Sequence, residues 1–311
     1  MSVYRILSLD GGGIRALQTA ILLERLEASV PGYLTHVNLF AGTSAGGILA
    51  LALAAGYTPA EAHHLYLDSA ASVFADRTVA EGRERGITAA FYGNENLKAS
   101  LLSIFGQQTL ADLPQRVLVP AFDLDNQATG PGQLRTWKLK FFHNFPGPDS
   151  DGHERVVDVA MRTSAAPIYF PIYQGYVDGG IVVKNPAMCA VAQAIDAATG
   201  GQTLPDVALL SVGTGRNPNF LELGHDDGDW GSVQWSADMR LLGVTMGNDV
   251  DVVDYQCRRF LGQRYHRLDP LLSQSVHLDG MAELRRLMEV ARAEDLATTT
   301  TWLQRHFKEP T

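Results

Sequence analysis

Cysteine is scarce: Cys189 and Cys257 are the only two in 311 residues, and their spacing fits neither a zinc nor a redox pair. Two reduced thiols are therefore expected. Long apolar runs are also missing, since the longest, Ile48 to Ala55, falls far short of the ~20 residues that cross a bilayer. The first ten residues lack the basic stretch, apolar core and small-residue cleavage site of a secretion signal, so a cytoplasmic location is expected. Basic charge is in deficit. The 25 Lys and Arg stand against 34 Asp and Glu, for a net charge of −9, and the cations are scattered or in pairs such as Arg258/Arg259 and Arg285/Arg286. A phosphate backbone calls for a basic face, so a nucleic-acid polymer is not an expected partner. Low-complexity tracts, internal repeats and linkers are absent as well. With 46% hydrophobic and 19% charged residues, the chain can bury a core throughout, and residues 1–311 are expected to form a single domain.

What is present is a repeated strand–turn–helix pattern. Tyr4 to Leu9 is apolar and ends in Asp10 and three glycines, after which Ile14, Leu17, Ile21 and Leu22 recur at helical spacing. Val37 to Ala41 leads through Gly42, Thr43, Ser44, Ala45, Gly46 and Gly47 into the Ala- and Leu-rich stretch from Ile48 to Ala55. Two such units in succession predict an α/β fold with a central mostly parallel sheet. Thr58, Pro59 and Glu61 open a helix to about Val73. Further helices are predicted over 98–105, 156–163, from Asn185 to about Ala198, from beyond Trp235 to Phe260, 281–292 and 296–307. Strands are predicted over 116–122, 135–141, 173–177, 207–212 and 265–268, with surface excursions at Ala75 to Asn96 and Arg216 to Trp235.

Three motifs carry chemistry. Gly42 to Gly46 sets Ser44 between small residues at a strand-to-helix turn, the nucleophile-elbow pattern; a helix N-cap serine is the plainer alternative. Gly11, Gly12 and Gly13 offer backbone N–H groups to a developing oxyanion. The spacing of Gly11, Gly13 and Ala16 also fits a dinucleotide fingerprint, but the second strand ends in Gly42, Thr43 and Ser44 without the required acid. Asp178 ends a strand and precedes Gly179 and Gly180, so it stands where a base would reach Ser44 if the two strands are neighbours; a turn aspartate is the alternative. A serine hydrolase usually interposes a histidine. Of the nine, only His225, His266, His277 and His306 follow Asp178, and none lies in a Gly-rich loop. His63 and His64 are adjacent on a helix and do not form an i, i+4 metal pair. No metal or organic cofactor is implied.

Together the stretches 10–15, 42–46 and 178–180, with 163–167, Asn185/Pro186 and 213–215, resemble the patatin-like phospholipases over nearly the whole chain. The resemblance implies a three-layer α/β/α fold and a lipid acyl hydrolase without a catalytic histidine. In it Ser44 is the nucleophile, Asp178 the base and Gly11, Gly12 and Gly13 the oxyanion hole, supported by Arg15, Gly42, Gly46, Gly179 and Gly180. Ala16 departs from the family's glycine. The implied partners are a phospholipid or other lipid ester and a membrane surface touched peripherally, with Phe91, Tyr92, Trp230 and Trp235 as candidate contacts. Some compact bacterial relatives are switched on by cyclic nucleotides, so such an activator is also admitted. The rivals are a histidine-dependent esterase of small esters and a non-catalytic lipid or nucleotide binder.

Overall fold

A strand apolar on both faces needs cover on both faces, and β1 (Tyr4–Leu9) obtains it by lying in the middle of a seven-stranded sheet. The structure, a computed structural model, describes residues 3–74, 86, 88–223, 228–246 and 249–308. The other strands are β2 (Leu39–Gly42), β3 (Arg116–Asp123), β4 (Lys138–His143), β5 (Tyr176–Asp178), β6 (Val207–Val212) and β7 (Tyr265–Leu268). The sheet order is β4-β3-β2-β1-β6-β7, with β5 also on β3. All pairings are parallel except those of β4 and β5 with β3.

The helices are α1 (Ala16–Ser29), α2 (Ala45–Ala54), α3 (Pro59–Val73), α4 (Glu95–Phe105), α5 (Val156–Thr163), α6 (Ala187–Ile195), α7 (Ser232–Ser236), α8 (Arg240–Thr245), α9 (Asp249–Leu261), α10 (Leu284–Ala293) and α11 (Ala297–His306). Side chains alternate across each strand. Leu7, Leu9, Phe40, Val119 and Leu210 therefore enter one core with residues of α1 to α5, α10 and α11, and Ile6, Leu39, Ala41, Leu118 and Leu209 enter a second with α6 and α9. That is the three-layer arrangement.

Some elements depart from the sequence pattern. The strand predicted over 173–177 is shorter, because Tyr173 and Tyr176 bond each other's backbone at 3.0 and 2.9 Å around Gln174 and Gly175, both at positive φ. This is a tight hairpin turn, and only Tyr176–Asp178 remains as strand. The long helix predicted from beyond Trp235 to Phe260 is two helices, α8 and α9, and the short α7 lies in the stretch predicted as a loop; Met239, at φ 55, breaks the chain between α7 and α8. The helix from Asn185 stops at Ile195, where the Asp196 and Ala194 carbonyls accept the N–H groups of Gly201 and Gln202. The fourth strand lies at 138–143 rather than 135–141, since the Arg135 guanidinium is engaged with the Asp125 carboxylate in the preceding loop. Of the 75–96 excursion, residues 75–85 and 87 lie outside the described residues.

Register on β3 positions the site. The last pair of β2 with β3 is Ala41 with Leu118, and β5 begins its contact at Ala121, opposite Asp178. Since β4 holds the other edge over Leu118 to Asp123, β2 and β5 share one edge and run toward each other along it. Their ends meet beside Val119 and Pro120.

Candidate active site

The chain leaves β2 at Gly42 and turns into α2 through Ser44, whose φ of 58 and ψ of −127 are unusual for a residue with a side chain. Such a conformation costs about 1–3 kcal/mol and persists only where its surroundings fix it. The fixing is visible. The Ser44 N–H donates to Thr163 Oγ1 at 2.9 Å, and that hydroxyl donates to the Pro120 carbonyl at 2.6 Å. A Cβ on Gly46 would lie 2.4 Å from the Asp10 carbonyl oxygen, and one on Gly42 would lie 2.1 Å from that of Gly46. Only glycine allows this approach of the elbow to β1.

Across a sequence separation of 134, the Ser44 hydroxyl donates to Asp178 Oδ2 at 2.6 Å. The carboxylate is 1% exposed, and its Oδ1 accepts the Gly180 N–H at 2.7 Å. Burial pushes its pKa up to about 6, against the opposing pull of the Ser44 and Gly180 hydrogen bonds. A carboxylate so tuned is ionised at neutral pH and still a better proton acceptor than an ordinary aspartate. Gly179 is packed so tightly that a Cβ there would sit 2.4 Å from the Pro120 carbonyl oxygen.

The glycine loop after β1 lies against the elbow, with Gly11 placed so that a Cβ would stand 3.2 Å from Ser44 Cβ. Its three amides are not equivalent. Gly11 donates its N–H to the Lys184 carbonyl at 3.0 Å, so the expectation of a three-amide oxyanion hole is corrected: Gly12 and Gly13 alone lack a backbone acceptor among the described residues. Gly12 packs on the Thr214 side chain, whose hydroxyl donates to the Gly11 carbonyl at 3.1 Å. Arg15 is buried and donates to the carbonyls of Gly12 and Gly215, both at 3.3 Å, so its guanidinium holds the loop from behind.

Beneath the loop lies an ionic cluster. Arg267 donates to both Asp10 oxygens at 2.8 and 2.6 Å, to Asp269 at 2.9 Å and to the Ser211 hydroxyl at 2.8 Å. Asp269 in turn accepts the Gly215 N–H at 3.0 Å. The C-terminal ends of β1, β6 and β7 are thereby tied together, and the crevice beyond the carboxyl ends of parallel strands is where α/β sheets bind ligands.

No histidine among the described residues hydrogen-bonds to Ser44 or Asp178. His63 pairs with Glu24 at 2.9 Å, and His266 bonds the Thr299 hydroxyl and stacks on Trp302, which also touches His306. His277 lines the same cavity as Ser44. His225 lies outside the described residues. Thr163, Lys184, Thr214 and Arg267 were not singled out in the sequence as site residues. Thr163 and Thr214 stood only within longer matching stretches, and nothing local marked Lys184 or Arg267.

A cavity of about 1160 Å³ opens over Ser44, Asp178, Gly12 and Gly13. Tyr92 is packed inward rather than presented to a membrane, buried against Phe74, Phe91 and Phe170, whereas Phe91 is half-buried. Trp230 and Trp235 are half-buried, edge to face at 5.3 Å. No helix among the described residues is long and apolar enough to cross a membrane.

Comparison with known proteins agrees with this architecture. The family description "Patatin-like phospholipase" matches residues 7–191, which contain Ser44, Asp178 and both glycine turns beside them. The chain is 36% identical to Protein teg of Priestia megaterium, over 76% of this chain and 70% of that one. It is 32% identical to a cGAMP-activated phospholipase of Pseudomonas aeruginosa, over 86% and 78%. With Patatin-like protein 2 of Arabidopsis thaliana it shares 24% identity over 81% and 68%. By its sequence, its sheet and the residues gathered above that sheet, the chain belongs to the patatin-like phospholipases, hydrolases of lipid esters.

Proposed function

We propose that the chain, as a single catalytic domain, hydrolyses fatty acyl esters of phospholipids through a Ser44–Asp178 dyad and an acyl-enzyme. Asp178 takes the Ser44 proton as Oγ bonds to the acyl carbon, and the amides of Gly12 and Gly13 receive the oxyanion. The ester C–O bond then breaks and the leaving alcohol takes the proton from Asp178. Water, deprotonated by Asp178, attacks the acyl-enzyme, and Ser44 departs with that proton while the fatty acid is released. Gly11, Gly42, Gly46, Gly179, Gly180 and Arg15 hold these groups in place.

The observation that carries this reading is the direct 2.6 Å bond between hydroxyl and buried carboxylate, with no histidine among the described residues bonded to either. Release of fatty acid from phospholipid vesicles by wild type, Ser44→Ala and Asp178→Asn tests it. Both variants are expected to be inactive. An active Ser44→Ala would overturn the dyad, and an inactive wild type would favour a binding protein. Loss of activity in His277→Ala with survival in Asp178→Asn would favour the histidine-dependent esterase.

Peripheral membrane contact is part of the proposal. It is supported by Phe220, 77% exposed at the border of the cavity, and by Val233, 78% exposed. Activation by a cyclic nucleotide rests on the name of the Pseudomonas relative, and adding cGAMP to the vesicle assay tests it.

A further inference from the structure

One lobe of the cavity is built as a measured slot. Along α2, Ala45, Ile48 and Ala52 line the cavity at spacings of three and four residues, which places them in one row on one helix face beginning beside Ser44. Helix α3 runs back alongside α2 and contributes Ala62 and Val73 to the wall, and α4 contributes Leu97 and Ile104. Three hydrogen bonds fix how these rows face one another. The Tyr66 hydroxyl donates to the Ala45 carbonyl and pins the middle of α3 to the start of α2. Asn96 Nδ2 donates to the Ser72 carbonyl at 2.9 Å, joining the start of α4 to the end of α3. The Tyr57 hydroxyl, in the turn between α2 and α3, donates to the Ile104 carbonyl at 2.9 Å and ties the end of α4 to the far end of the slot.

The near end therefore holds Ser44, Val73 and Leu97, and the far end holds Ala52, Ala62 and Ile104. Apart from Ser69, Ser100 and the engaged Tyr66 hydroxyl, the α2, α3 and α4 residues of the wall are apolar, and Ala52 and Ala62 are buried at 4% and 1% exposure. At 1.5 Å rise per residue, the rows Ala45 to Ala52 and Leu97 to Ile104 are each about 10 Å long. Two separate helices of the wall give the same length.

We propose that this slot is the acyl-chain subsite and that Ala52, Ala62 and Ile104 set how many carbons of the chain it holds, the remainder of a longer chain lying in the wider cavity. With C–C bonds of about 1.5 Å that each advance about 1.25 Å along an extended zigzag, a chain fills roughly 10 Å with about eight carbons. This deepens the hydrolase reading and rests on it. The ligand is an unbranched, saturated acyl chain lying along α2 with its carbonyl at Ser44. The buried alanines close the far end of the slot, and any larger side chain there would reach back into it.

The test uses a series of soluble p-nitrophenyl esters from butyrate to laurate, assayed below their critical micelle concentrations with wild type, Ala52→Phe and Ile104→Ala. In wild type, kcat/KM is expected to rise about four-fold per added methylene, the equivalent of ~0.8 kcal/mol per buried CH2, and to stop rising near eight carbons. Ala52→Phe is expected to move that break to shorter chains, so that the ratio of octanoate to butyrate activity falls at least ten-fold. Ile104→Ala is expected to move it to longer chains, a gain that loss of stability does not produce. Melting curves establish that each variant is folded. Folded variants whose chain-length profiles superimpose on that of wild type would overturn the slot while leaving the dyad intact. A wild type inactive on every ester would overturn the hydrolase reading itself.

Discussion

The two sides of the proposed reaction centre are held by different forces. On the side of Ser44 and Asp178, every fixing contact is neutral on its protein partner: the Thr163 hydroxyl, the Pro120 carbonyl and the Gly180 N–H. On the side of the glycine loop the fixing is ionic, with Arg267 between Asp10 and Asp269 and Arg15 behind them. The contrast has a chemical reason. A cation within a few ångströms of a carboxylate favours its charged form and lowers its pKa. Among the described residues no cation acts on Asp178, and burial, opposed only by the Ser44 and Gly180 hydrogen bonds, raises it to about 6. The strong interactions are kept where rigidity is needed, and the weaker ones where a proton has to be accepted.

The comparison can be broken at several points. Removing the reacting groups has the largest effect, and Ser44→Ala or Asp178→Asn is expected to lower kcat on vesicles by about 10⁴-fold or more. Next is Arg267→Met. It leaves Asp10 and Asp269 buried without their cation, so denaturant melts are expected to show a loss of about 3–5 kcal/mol. If the ionic side serves the oxyanion loop, kcat also falls about 10²-fold, yet the pH at half-maximal rate stays near 6. A large displacement of that midpoint in Arg267→Met would mean that the two sides are electrically coupled after all.

Thr163→Val removes the acceptor of the Ser44 N–H, and an unsatisfied buried donor costs about 1–3 kcal/mol. Its kcat is expected to fall about ten-fold, with KM little altered, because the elbow and not the acyl slot is disturbed. The pH dependence is the finest test. As a base Asp178 must be ionised, so kcat/KM is expected to climb with unit slope below about pH 6 and level above it. For stability the direction reverses. A folded-state pKa raised from 3.8 to about 6 stabilises the fold fully below pH 4, and that contribution disappears as the pH rises through 6. Asp178→Asn is therefore expected to melt later than wild type at pH 7, by up to ~3 kcal/mol. An unchanged or lower melting point would mean that the Ser44 and Gly180 hydrogen bonds outweigh burial.

What could be read from the sequence was whatever is decided locally. β1 and β2 are apolar runs punctuated by glycine, and Ser44 and Asp178 stand beside those punctuation marks. Their meeting was legible only as a condition, since it depends on pairings with β3. The fate of Gly11 was not legible: its amide is consumed by the carbonyl of Lys184, far along the chain, and its neighbours' amides are not. Arg267 was hidden for the same reason, its partner Asp10 being 257 positions away. The short β5 was over-extended because Gln174 and Gly175 take left-handed conformations that an apolar pattern does not announce. The candidate membrane contact at Tyr92 failed because an aromatic side chain reads alike in a sequence whether it faces solvent or core.

The head-on arrangement of β2 and β5 makes the spacing of Ser44 and Asp178, the proposed nucleophile and base, a matter of counting. One extra residue inserted between Leu118 and Ala121 would slide the two strand ends apart by about 3.3 Å and turn one of them to the opposite face of the sheet. Substitution can reshape the side chains of Val119 and Pro120 and leave that interval alone, whereas a single deletion or insertion there disconnects proton donor from acceptor. A stretch of chain with no reacting atom of its own thus tolerates changes of composition far better than changes of length.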